Sequence, residues 1–265
     1  MNEDPPTGGS LEVDVLHSEY QSEPTTIHVL VPDDDGSGAP YPVVYVLPVE
    51  ARDEHRFGDG MREVLDRDLH NRYGAVFAEP TFSLLPWYAD HPTDPDIRQE
   101  SYLLQTVVPF VEAHYPVRGD REGRLLLGFS KSGWGAFSLL LRHPEVFGRA
   151  AAWDAPLMMA PPMQWGSAPI FGTTGNFDRY RIDRLLQERG DALGDTPRLI
   201  LLGYGSYLGY SSFRDGHIAA HKLMGRLGIP HVYRDGPRRE HDWHSGWLAD
   251  AAGLLLCGDL AVAGP

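Results

Sequence analysis

The chain has 265 residues, 42% of them hydrophobic and 23% charged, with a formal net charge of -14. That length can bury a sizeable core, and α/β folds of this size are commonly one domain. The acidic balance argues against nucleic acid or an anionic membrane surface as partner, and the lone Cys257 excludes an intrachain disulfide and a cysteine-based zinc site.

The opening "MNEDPPTGGS" is polar and acidic and lacks the basic and apolar regions of a signal peptide. No run is apolar for long enough to span a bilayer, so a cytoplasmic location is expected. "LEVDVLHSEY" and "TTIHVLVP" predict two strands, and the turn-rich "DDDGSGAP" leads to a third, "YPVVYVLP". A helix is expected in "GMREVLDRDLHNRYG", then a strand "AVFAEP", the irregular "TFSLLPWYADHPTDP", and a second helix in "QESYLLQTVVPFVEAHYP". "LLLGF" reads as a buried strand running into a helix that His143-Pro144 closes, and "RAAAWDAP" as the strand after it. The stretch from Leu157 to Pro197 is long for a connection. It carries Met158, Met159, Met163 and Trp165, and either packs as a surface excursion or caps a pocket at about 157–197. "RLILLGYG", a helix over "HIAAHKLMGRLG", the strand "HVYRD" and a helix over "SGWLADAAGLLL" complete the chain. The expectation is a single α/β domain over 1–265. Its central sheet is mainly parallel with helices on both faces, entered through an antiparallel N-terminal hairpin.

In such sheets ligands bind beyond the carboxyl ends of the strands. At one of those ends stands Gly128-Phe129-Ser130-Lys131-Ser132, close to the nucleophile-elbow pattern G-x-S-x-G but with serine for the second glycine. A serine hydroxyl becomes a nucleophile when a base takes its proton and a third group orients that base. After the last strand, "YRDGPRREHDWHSGW" offers His241 and His244, and His241, nearer the strand, is preferred. For the acid, Asp215 after "RLILLGYG" ranks first and Asp154 at the end of "RAAAWDAP" second, with Asp235 and Asp242 weaker. The backbone N–H of Lys131 and one from Val49 or Glu50 are the candidate oxyanion donors. A carboxylate on Glu50 facing the oxyanion would oppose catalysis, so it should turn elsewhere or meet a polar group of the substrate. Trp87, Tyr88, Trp134 and Asp154 are candidates for the pocket wall, with packing as the competing role for Tyr88.

With these residues in view, the chain resembles the esterase D-like branch of the α/β-hydrolases from about Leu11 to Leu256. That branch includes feruloyl esterases, S-formylglutathione hydrolase, enterochelin esterases and mycolyltransferases. The matching stretches are "YPVVYVLP", "WYAD", "VVPFVEAHYPV", "GFSKSGWGAFSLLLRHPEVFGRAAAWDAP" and the "HDW" at His241. The resemblance implies an α/β-hydrolase fold, Ser130 as nucleophile, His241 as base and an acid near Asp215. The oxyanion loop "LPVEA", Ser132 and the displaced acid depart from the family pattern. A serine hydrolase of small-molecule carboxylic esters, working without cofactor or metal, is the leading expectation. An acyltransferase would use the same residues. A metal-dependent hydrolase built on His217 and His221, and a binding protein that kept the fold without catalysis, are the alternatives from other classes.

Overall fold

The computed structural model describes residues 10–33, 40–160, 164–206 and 211–257. Most of the expected turn "DDDGSGAP", Met163, and residues 207–210 after "RLILLGYG" lie outside the described residues.

Eight strands form one sheet: β1 (Glu12–Leu16), β2 (Thr25–Leu30), β3 (Val43–Val46), β4 (Val76–Pro80), β5 (Arg124–Phe129), β6 (Arg149–Trp153), β7 (Leu199–Leu202) and β8 (His231–Arg234). Their order is β1-β2-β4-β3-β5-β6-β7-β8. β1 and β2 pair antiparallel, β2 joins β4 antiparallel, and every pair from β4 to β8 is parallel. This is the α/β-hydrolase architecture with its N-terminal hairpin.

The three leucines at the start of "LLLGF" show why the central strands read as continuous apolar runs. Side chains alternate across a sheet, so a strand covered on both faces must be apolar at every position. Leu126 enters the core on one face with Tyr45, Ala150 and Ala152. Leu125, Leu127 and Phe129 enter the core on the other with Val44, Val46 and Trp153. Each such leucine, fully buried, contributes about 1.5–3 kcal/mol.

Two expected helices are interrupted, each for a local reason. The first becomes Gly60–Asp66 and Leu69–Tyr73, divided at Asp68, whose φ of +52° lies in a left-handed region that aspartate tolerates. The second runs from Gln99 to His114 but widens to a π-turn over Leu103–Val107. Pro109 lies two residues beyond it. It has no N–H to donate and would crowd a carbonyl one turn back, so the ladder shifts register ahead of it.

The segment between β6 and β7 folds into short helices, Ala168–Phe171, Thr174–Asp178 and Ile182–Arg189. Much of it joins the core: Phe171 meets Trp134 edge-on with ring centroids 5.6 Å apart. The stretch just ahead of these helices stays outside. Trp165 is 44% exposed and stands edge-on to Phe213.

Candidate active site

Chain path and close packing set Ser130 where β5 ends and the helix Ser130–Arg142 begins. Its φ is +52°, a left-handed conformation costing about 1–3 kcal/mol in a residue with a Cβ. The turn is tight because the helix lies against its own strand. A Cβ on Gly128 would fall 2.5 Å from the backbone of Ser132, and one on Gly135 would fall 2.1 Å from the Tyr88 ring. Ser132, the departure from the elbow pattern, takes part in this turn. Its hydroxyl donates to the Phe129 carbonyl at 2.9 Å and lies 3.1 Å from the Phe129 N–H, satisfying backbone groups that the turn would otherwise orphan.

His241 follows β8 and is buried against aromatic rings. Phe129, the residue before Ser130, stands edge-on to it with centroids 4.9 Å apart, and Phe57 at 5.2 Å. Its Nδ1–H donates to Asp154 Oδ2 at 2.6 Å. That bond sets the ring proton on Nδ1. His244, the other histidine of the loop, is engaged elsewhere. Its Nε2 accepts the Asp59 N–H at 3.1 Å, and its Nδ1 is 3.2 Å from Glu63.

The carboxylate that His241 meets is therefore that of Asp154 and not that of the first-ranked Asp215. Asp215 lies exposed on the helix Ser211–Leu227. Asp235 pairs with Arg214 at 2.7 Å, and Asp242 caps the short helical turn Trp243–Ser245. Asp154 sits just past the end of β6, the immediate neighbour of β5, so its side chain starts beside the elbow. It too has positive φ, +40°. The next N–H, that of Ala155, donates to His217 Nε2 at 3.0 Å. Burial drives the His217 pKa down to about 3, so the ring is neutral with its proton on Nδ1 and accepts at Nε2. Neither histidine of the metal alternative serves that role here: His217 holds this turn, and His221 lies 2.7 Å from His231. Among the described residues no group of three or more His, Cys, Asp or Glu could hold a metal ion.

Ser130 and His241 line one cavity of about 340 Å³ with Lys131, Glu50, Arg56 and Phe57, and with Leu85, Pro156, Trp165 and Phe213. A smaller apolar cavity of about 210 Å³ shares Pro156, Trp165 and Phe213 with it and adds Met158 and Met159. A larger cleft of about 510 Å³ lies around Asp90, Arg98 and Arg179, away from Ser130 and His241. Among the described residues the backbone N–H groups of Val49, Glu50 and Lys131 have no internal acceptor. The Glu50 carboxylate is buried and accepts the Arg56 N–H at 2.7 Å. Burial raises its pKa, with the Arg56 and Phe57 N–H groups and the Lys131 charge pulling the other way. Burial likewise lowers the pKa of Lys131.

Trp87, Tyr88 and Trp134 are corrected from pocket wall to core. All three are fully buried; Trp87 meets Trp134 edge-on at 5.6 Å, and the Tyr88 hydroxyl donates to the Pro48 carbonyl at 2.5 Å. Tyr88 thus braces the loop that carries Val49 and Glu50. Phe57 and Phe213, which do line the cavity, carry no local motif that marks them in the sequence.

Residues 18–191 match the family model described as "Putative esterase". Esterase Rv1288 of Mycobacterium tuberculosis (strain ATCC 25618 / H37Rv) is 25% identical over 134 residues, covering 49% of this chain and 29% of that protein. The chain thus spans less than a third of the length of the curated relatives it matches. Among solved structures, an S-formylglutathione hydrolase from Agrobacterium tumefaciens aligns over 98% of this chain and 99% of its own, with TM-score 0.75 and 18% identity. A ferulic acid esterase aligns over 94% and 99%, with TM-score 0.72 and 20% identity. At these identities the likeness is one of fold.

Proposed function

The chain belongs to the "Putative esterase" family, and from that premise we propose that it hydrolyses carboxylic esters through an acyl-enzyme formed on Ser130. The observation that carries the reading is the 2.6 Å bond from His241 to buried Asp154, in a histidine that lines one cavity with a strained elbow serine.

In the first half-reaction Ser130 Oγ adds to the ester carbonyl carbon while its proton passes to His241 Nε2. Asp154 holds the imidazole and stabilises the imidazolium that forms. The carbonyl oxygen gains negative charge and is met by the N–H of Lys131 and by that of Val49 or Glu50. Such preorganised donors contribute about 2.7–4 kcal/mol each. The carbon–oxygen bond to the alcohol then breaks, and His241 returns its proton to the leaving oxygen. In the second half-reaction water gives a proton to His241 and its oxygen adds to the acyl carbon. The carboxylic acid departs and Ser130 recovers its hydrogen.

A fluorophosphonate probe and a neutral aryl acetate test the reading together. Wild type should take the label at Ser130 and release the phenol, and Ser130→Ala should do neither. Hydrolysis by Ser130→Ala at the wild-type rate would refute the assignment.

A further inference from the structure

We propose that the substrate of this cavity carries an anionic group recognised by the Lys131 ammonium and the Arg56 guanidinium. The inference rests on the esterase reading and deepens it to a substrate class.

Lys131 follows the nucleophile directly, a position where the turn demands only a residue that can begin a helix. A long cationic side chain there, partly buried and lining the cavity, is a costly choice because a desolvated charge is unfavourable unless paired. Among the described residues its ammonium has neither a carboxylate at ion-pair distance nor a hydrogen-bond acceptor. Arg56 lines the same cavity; its guanidinium lies 5.3 Å from the centre of the Phe57 ring and has no ion pair among the described residues.

Two acids line the cavity as well: Glu50 acts on Lys131 through its field alone, and neither acid makes an ion pair with either cation among the described residues. Glu50 is committed to the backbone of its own loop through the Arg56 N–H, short of a direct bond to Lys131. Glu54 is exposed, where water and salt weaken its field. The cavity thus holds one desolvated and one exposed cation with no direct counterion, beside the serine hydroxyl. An arriving anion would supply the missing partner, and charge-assisted hydrogen bonds to it are the strong kind. The adjoining 210 Å³ cavity, with Met158, Met159, Trp165 and Phe213, has the opposite character and suits an apolar group. Together the two cavities fit an ester with one apolar part and one charged part.

The experiment compares matched ester pairs. In the acyl arm, p-nitrophenyl glutarate with a free carboxylate is set against its carboxamide. In the alcohol arm, the acetyl ester of 4-hydroxyphenylacetate is set against that of 4-hydroxyphenylacetamide. In one arm, kcat/KM for the charged member should exceed that of the neutral one by about tenfold at low salt, with the excess shrinking as salt rises. K131M and R56Q should each cut that ratio by about threefold or more, and E50Q should raise it, whatever each does to the neutral ester. Equal kcat/KM within both pairs, or a ratio untouched by K131M, overturns the inference. A fluorophosphonate separates the two levels. Labelling of Ser130 without a charge preference removes only the anion, whereas failure of both labelling and hydrolysis removes the esterase reading itself.

Discussion

Two carboxylate–imidazole pairs in this molecule share a 2.6 Å separation, Asp154 with His241 and Glu100 with His143. Their surroundings differ. Glu100 also receives two bonds from Arg142, at 2.7 and 3.0 Å, and one from the Tyr180 hydroxyl at 2.8 Å. Burial would raise its pKa, but the bonds and charges of His143 and Arg142 overturn that and hold it at about 2. Its charge is fully used in joining the helix that begins at Gln99 to the end of the helix Ser130–Arg142. Asp154 is just as buried, yet one of its oxygens has no partner among the described residues, and its other oxygen faces His241. A saturated carboxylate fastens structure. One reserved for a single imidazole can stabilise the imidazolium when a proton arrives.

The sharpest way to break this comparison is to neutralise each acid in turn. Asp154→Asn should lower kcat by about 10³–10⁴-fold with the fold intact, because the amide no longer favours the proton on Nδ1 or stabilises the imidazolium. Steady-state rates with circular dichroism check this, and a loss below tenfold would return the acid's identity to the open. Glu100→Gln should leave kcat within a few-fold and act on stability instead. The folded pKa of Glu100 lies below its usual value near 4.5, so its contribution is present above about pH 4.5 and is lost as pH falls toward about 2. That contribution is up to about 3 kcal/mol. Urea unfolding between pH 6 and 3 should slope downward in wild type and clearly less in E100Q.

A subtler perturbation reaches Asp154 from behind. His217→Phe removes the acceptor for the Ala155 N–H, so the strained turn loosens and kcat should fall about 10–100-fold with KM little changed. His217→Gln, whose side-chain oxygen can accept the same N–H, should recover part of the rate. Equal rates in the two variants would show that His217 only fills space. The smallest effect belongs to Asp215→Asn. An exposed acid away from the imidazole should change kcat/KM less than twofold and stability by no more than about 0.5 kcal/mol.

Much of this site is legible in local chemistry. The apolar run Leu125–Leu127 requires a strand buried on both faces. Gly128 and the small residues after Ser130 permit the tight passage into a helix, and His241 stands in the loop after the last strand. These features depend on neighbours in sequence, so periodicity and residue size reveal them. Trp87 and Trp134 mislead for the opposite reason. An aromatic residue near a strand end looks the same whether it faces ligand or core, and only the packing of Phe171 from the long segment after β6 places both inside.

By itself the sequence determined the strand–helix alternation and the elbow, and it marked Ser130 and His241 as candidates, since each is written within a few consecutive residues. Which carboxylate meets that imidazole was decided only by tertiary structure. Asp154 and His241 are 87 positions apart. Asp154 and Asp215 both follow strands near the elbow, and nothing local ranks one above the other. What separates them is sheet order and burial: β6 pairs directly with β5, and its end is buried under His217 and His241, while Asp215 falls on the outer face of a helix. A carboxylate away from water must find a partner, and here the imidazole is the one the fold brings to it.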